Sequence, residues 1–170
     1  DRPLPILQLP WLFRVRARQI VRRLMRMPSR WGLKDHRTIL CWELWRDAEA
    51  DRVGTFRHPA NVVDSLSKRH PARHPPEVWE QTWCVYNSAL VALYREQPFP
   101  IVNFDWSVDR YRRVVDRLAR SLELRGNGDG FFDTEFRRHV GRDEFRDPRA
   151  RELYEQLVAI SEAEAEKLAT

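Results

Sequence analysis

The chain has 170 residues, 42% of them hydrophobic and seven of them tryptophan, so it can bury a core of its own. Charged residues make up 32% and the formal net charge is +5; this favours anionic partners as a class (nucleotides, acidic or sulfated glycans, nucleic acid, anionic membranes) without choosing among them. No apolar run within it reaches the roughly 18 residues of a membrane span, and the two cysteines, Cys41 and Cys84, form no Cys-x-x-Cys pair, which excludes a zinc ribbon and a dithiol redox motif.

Residues 1–10 carry three prolines and read as an extended arm. Trp11 to Met27 reads as a basic amphipathic helix, with an apolar stripe of Leu12, Val15, Ile20, Leu24 and Met27 and polar faces of arginine. Its plain role is a surface helix packed on the domain; interfacial membrane contact and glycan binding are the alternatives. Pro28 and Ser29 break the chain. Trp31 to Asp35 reads as a short strand or its end, and Thr38 to Arg46 as a helix with Ile39, Trp42 and Trp45 on one side. Ala50 to Phe56 has the apolar character of a buried parallel strand, and Ala60 to Arg69 is a helix. After a proline- and histidine-rich loop over 70–76, Glu77 to Glu96 forms a long helix with Trp79, Trp83, Tyr86, Leu90 and Leu93 near one face. Pro100 to Phe104 is another short strand, and Val108 to Leu124 a helix that turns Tyr111, Val114, Val115, Leu118 and Leu122 inward. Gly126, Gly128 and Gly130 mark a turn; the tail from Phe131 is polar, and Arg149 to Leu168 is a charged helix. Both cysteines sit in apolar helical patterns and read as buried free thiols.

Strands alternating with helices predict parallel crossovers, hence a helix-rich α/β fold with ligands bound beyond the carboxyl ends of the strands. Lys34, Arg57 and Asp105 all fall near such ends, which predicts Lys34 and Arg57 on one edge. Asp35 is expected to pair with Arg37 or Arg57, and Asp105 to cap the following helix or order its loop.

The segment Val53 to Arg69, VGTFRHPANVVDSLSKR, combines a strand, a turn and a helix, with Arg57 at the strand end and Ser65 eight residues on. A guanidinium fork matches phosphate oxygens two at a time, and a helix N-terminus adds backbone N–H groups and a favourable dipole. The alternative is that Arg57 pairs with a carboxylate and Ser65 is an ordinary helix residue.

In type and spacing, Arg57 and Ser65 resemble the 3′-phosphate motif of the sulfotransferases that use 3′-phosphoadenylyl sulfate (PAPS). WGLKDHR upstream, WCVYNSALV downstream and PIVNFDWSVDRYRRVVDRLARSLEL after it resemble bacterial members, so the likeness covers roughly residues 28 to 125. It implies a partial P-loop-type parallel sheet flanked by helices, PAPS as sulfuryl donor, a hydroxyl-bearing acceptor such as a carbohydrate or small molecule, and Arg57 and Ser65 as the residues that bind the nucleotide. The expected organisation is one domain, with an arm and basic helix over 1–27, an α/β part over 28–125 and a helical tail over 126–170. The family's glycine-containing phosphate loop is not found among the six glycines, so the chain is expected to be a fragment or a shortened relative that begins after it.

Sulfuryl transfer needs positive charge on the leaving bridge oxygen and a base for the acceptor proton. The resemblance implies Lys34 as the charge stabiliser. His36 stands where bacterial relatives carry proline, yet Lys34 and His36 match the Lys-x-His spacing of cytosolic sulfotransferases, where the histidine is the base. The plain readings are an exposed lysine and a polar turn residue. No metal is required by this scheme, and a cytoplasmic setting is expected. A catalytically inactive nucleotide-binding module of the same fold is the alternative function, with a basic nucleic-acid-binding protein behind it.

Overall fold

The computed structural model describes residues 11–28, 31–46, 48, 50–70, 73–124 and 144–169. The chain divides into two compact units, Asp1–Ala50 and Asp51–Thr170, with the boundary inside the 28–125 segment.

The first unit holds helix α1, Trp11–Met25, and a 3-10 helix, His36–Leu44, kinked at Cys41. The two pack on each other. Ala17 and Val21 are the buried residues of α1. Leu12, Val15, Ile20 and Met27 of the expected stripe are exposed instead. Leu24 of that stripe is half-buried. Trp31 to Asp35 is not a strand. Asp35 is the N-cap of the 3-10 helix, where its side chain accepts from the Arg37 backbone N–H at 2.8 Å. The carboxylate thus starts a helical turn rather than ending a strand.

The second unit runs β1 (Gly54–Phe56), α2 (Pro59–Arg69), α3 (Pro76–Glu96), β2 (Ile101–Asn103), α4 (Val108–Ser121) and α5 (Pro148–Lys167). The two strands are parallel, with Gly54 opposite Ile101 and Phe56 opposite Asn103, and α2 and α3 form the crossover between them. The coarse α/β expectation holds: a helix-rich unit around a small parallel sheet. Proline at the first helical position starts α2, α3 and α5, where its missing N–H costs nothing. Ser107 caps α4 and Asp147 caps α5 through their side chains.

All three residues of β2 are buried, as expected of a strand covered on both faces. Val102 joins Trp106, Val114, Leu118 and Ala165 in a cluster built from β2, α4 and α5. Glu80 of α3, 1% exposed, accepts the backbone N–H groups of Arg146 and Asp147 at 3.2 and 3.0 Å. A buried carboxylate with two backbone donors fixes where α5 begins.

Gly54 gives β1 its close approach to α3. A Cβ there would lie 2.9 Å from Leu90 Cδ1, 3.1 Å from Ile101 Cγ1 and 3.2 Å from Phe99 Cε2. Gly54→Ala is expected to lower unfolding stability by about 1–3 kcal/mol through overpacking. Urea denaturation measures this, and an unchanged midpoint would mean that Leu90 and Phe99 give way freely.

Candidate functional site

The two parallel strands are only three residues each, too short to hold their register by backbone bonds alone. Their carboxyl ends are joined by side chains. Beyond β1, Arg57 Nε donates to Asp105 Oδ1 at 3.2 Å, with the two side chains 20% and 11% exposed. The Asn61 amide of α2 donates to the same oxygen at 3.1 Å. The His58 backbone N–H donates to the other oxygen, Oδ2. One carboxylate from the end of β2 therefore gathers the end of β1 and the first turn of α2. The Asp105 N–H in turn donates to the Asn103 side-chain oxygen at 2.9 Å, which shapes the turn leaving β2. Asp105 orders this loop as expected, but Ser107 rather than Asp105 caps α4.

Arg57 is held from two further directions. The indole N–H of Trp83, a buried α3 residue, donates to the Arg57 carbonyl at 2.9 Å. The guanidinium carbon lies 5.4 Å from the centre of the Phe104 ring. Behind the turn, the buried His58 ring packs 4.6 Å from the Tyr154 ring and 4.8 Å from Phe145, centre to centre.

The helix N-terminus is not open in the way the sequence predicts. Pro59 has no N–H, and the Ala60 N–H donates to His58 Nδ1 at 3.2 Å. The N–H groups of Asn61 and Val62 donate to the His58 carbonyl at 3.1 and 3.2 Å. The histidine following Arg57 thus serves as the cap of α2, and an anion at this end would have to displace it. Ser65 lies farther along α2, half-buried, and its Oγ accepts from Arg69 Nη2 at 3.2 Å. Arg69 Nε also donates to the Ser65 carbonyl at 3.3 Å. The i,i+4 spacing of the helix thus sets the Arg69 guanidinium on Ser65.

Comparison with protein-family models, curated proteins and solved structures gave no match.

Lys34 and His36 belong to the first unit, and Arg57 and Ser65 to the second. Lys34 is exposed and follows no strand, so the strand-edge reason for grouping it with Arg57 does not apply. The His36 side chain is 78% exposed, its Nδ1 3.8 Å from Asp35 Oδ1. Asp35 takes the first of its two expected partners, with Arg37 Nη2 at 2.6 Å from Oδ2. The Arg37 hydrogen bonds hold the Asp35 carboxyl down at about 2. Both cysteines are free and half-buried, and burial pushes the Cys84 thiol up to about 11, the opposite of an activated nucleophile.

Sequence reasoning missed Asn61 and Arg69 as site residues and did not pair Asp105 with Arg57. The partners of Asp105 lie 44 to 48 residues away, beyond any local pattern. The Ser65–Arg69 spacing was a usable signal.

Two outcomes follow from this geometry. Asp105→Ala is expected to destabilise the chain by about 2–4 kcal/mol, because it leaves a part-buried guanidinium and two further donors without their acceptor. Asp105→Asn should recover part of the loss in the same thermal melts; equal stability of the alanine variant and the wild type would remove Asp105 from the centre of this site. Separately, the Asp35 carboxyl should titrate by NMR with a midpoint near 2, and Arg37→Gln should raise it towards the ordinary value of 3.8. A depressed carboxyl pKa stabilises the fold above its ordinary value, and that contribution fades as pH falls through about 2.

Proposed function

We propose that this chain binds a 3′-phosphorylated adenine nucleotide through Arg57 and Ser65, and that its reaction is sulfuryl transfer from PAPS to a hydroxyl acceptor, with a carbohydrate or small molecule as the acceptor class. The observation that carries the reading is the layout of β1, turn and α2: Arg57 directly follows a parallel strand, and Ser65 stands on the next helix eight residues later. Ligands of open parallel sheets lie beyond this edge. Asp105 and Phe104 support the reading by holding the guanidinium in one place, so less of its rotamer freedom is lost on binding, and Trp83 anchors the Arg57 backbone. Arg69, hydrogen-bonded to Ser65 Oγ, adds a second cation for the phosphate. With the α2 cap occupied by His58, the side chains rather than the helix dipole supply the affinity. In the transfer step Lys34 would neutralise the leaving bridge oxygen and His36 would take the acceptor proton.

A second reading, nucleotide binding without transfer, is favoured by one observation: Lys34 and His36 are exposed, with no strand beneath them to fix their positions.

Calorimetric titration with 3′,5′-adenosine bisphosphate, with adenosine 5′-monophosphate as control, tests the shared core of both readings. Ser65→Ala should weaken binding about three- to tenfold with stability unchanged, as expected for one lost hydrogen bond to a charged group. Arg57→Lys should weaken it at least as much, because a lysine cannot reproduce the fork. Equal affinity for both nucleotides, or none in a folded chain, would sink the nucleotide reading. Sulfuryl transfer from PAPS to a hydroxyl acceptor with release of 3′,5′-adenosine bisphosphate, lost in Lys34→Ala with binding retained, would select transfer over binding alone.

A further inference from the structure

We propose that α1 is an interfacial helix that lies on an anionic lipid bilayer. The proposal stands on the first unit alone and is independent of the nucleotide reading.

The argument starts from how the helix distributes its residues. Between Trp11 and Met27 there is no acidic residue, and arginine stands at positions 14, 16, 18, 22, 23 and 26. At 100° per residue, the apolar arc runs through Ile20, Phe13, Leu24, Ala17 and Val21. Only its far edge, Ala17 and Val21, is buried. Phe13 and Ile20, seven residues apart and so almost in line along the helix, remain 58% and 51% exposed. Met27 continues the line just past the helix end and is also exposed. Arg16 and Arg23, again seven apart, run beside this line.

A hydrocarbon stripe with a parallel row of guanidiniums matches the boundary between acyl chains and headgroups. The apolar side chains enter the boundary, and the arginines, on stems long enough to reach outward, meet the lipid phosphates. Charge complementarity selects anionic lipid. Duplex nucleic acid would satisfy the arginines but would leave Phe13 and Ile20 in water. The helix lies on the surface rather than crossing it: no helix among the described residues is long and apolar enough to span a membrane.

The test is flotation of the full chain with vesicles of phosphatidylcholine alone and of equimolar phosphatidylcholine and phosphatidylglycerol. Binding to the anionic vesicles, at least tenfold tighter than to the neutral ones and weakened by salt, is the expected result. Phe13→Ser with Ile20→Ser should weaken it by roughly tenfold or more. Arg16→Gln with Arg23→Gln should weaken it by at least about tenfold, and Arg16→Lys with Arg23→Lys should retain most of it. All these positions are exposed, and circular dichroism checks that each variant keeps its helices. Equal binding to both vesicles, binding unchanged by the serine pair, or no flotation by the folded chain would overturn the proposal. So would self-association abolished by the serine pair without vesicle binding, which would assign the stripe to a second copy of the chain. Transfer of the chain from anionic vesicles to duplex DNA at equal phosphate would overturn it in favour of nucleic acid.

Discussion

The second unit depends on one carboxylate. Two strands of three residues give only a few ladder bonds, and a two-stranded sheet of that length is not stable by itself. Asp105 supplies what the ladder lacks. It joins the turn after β2 to a side chain, a backbone N–H and an amide from the end of β1 and the start of α2. Each is a charge-assisted or ionic hydrogen bond of roughly 1.5–3 kcal/mol at a part-buried position, where screening is weaker than at the surface. Trp83 adds α3 to the same junction through the Arg57 carbonyl. Four elements thus share a few ångströms of polar contact, and the direction of the Arg57 guanidinium follows from that arrangement rather than from its own rotamer preference.

This junction also limits what the site can bind. A phosphate at Arg57 would meet an arginine already paired with Asp105, and would have to share the cation or turn it. Sharing is tolerable because the carboxylate charge is also spread over the His58 N–H and the Asn61 amide. The internal cap of α2 closes the backbone route, since His58 takes the Ala60 N–H and its carbonyl takes the next two. An anion at this junction would therefore depend on Arg57, Ser65 and Arg69, three side chains on one strand end and one helix.

The order of elements in the second unit was legible because each boundary carries a local signal. Proline opens three helices, and the short runs VGTF at 53–56 and PIVNF at 100–104 are too short for helices. The supposed strand at 31–35 failed for the complementary reason: strand character depends on a partner to pair with, whereas the Asp35 to Arg37 interaction is satisfied inside its own turn. The buried face of α1 was misjudged because the periodicity counted large apolar residues, while the residues buried are Ala17 and Val21. Arg57 and Ser65 stood out by their spacing, but the partners of each could not be read from it. Whether an arginine is taken by a carboxylate depends on a residue 48 positions away, which only the crossover through α2 and α3 brings near.

The location of the charge changes what the basic balance means. The arginines between residues 11 and 27 alone exceed the net charge of +5, so the rest of the chain is close to neutral. In the second unit, cations are matched by carboxylates: Arg57 with Asp105, Lys68 with Asp64, Arg110 with Glu162, Arg149 with Asp147 and Lys167 with Glu164. The Arg57–Asp105 pair is part-buried, so salt screens it weakly. The long-range field of the chain originates in α1, on exposed side chains that salt screens strongly. A single overall charge describes neither surface, and the two should respond to ionic strength in different ways: weakly at the strand ends, steeply along the helix.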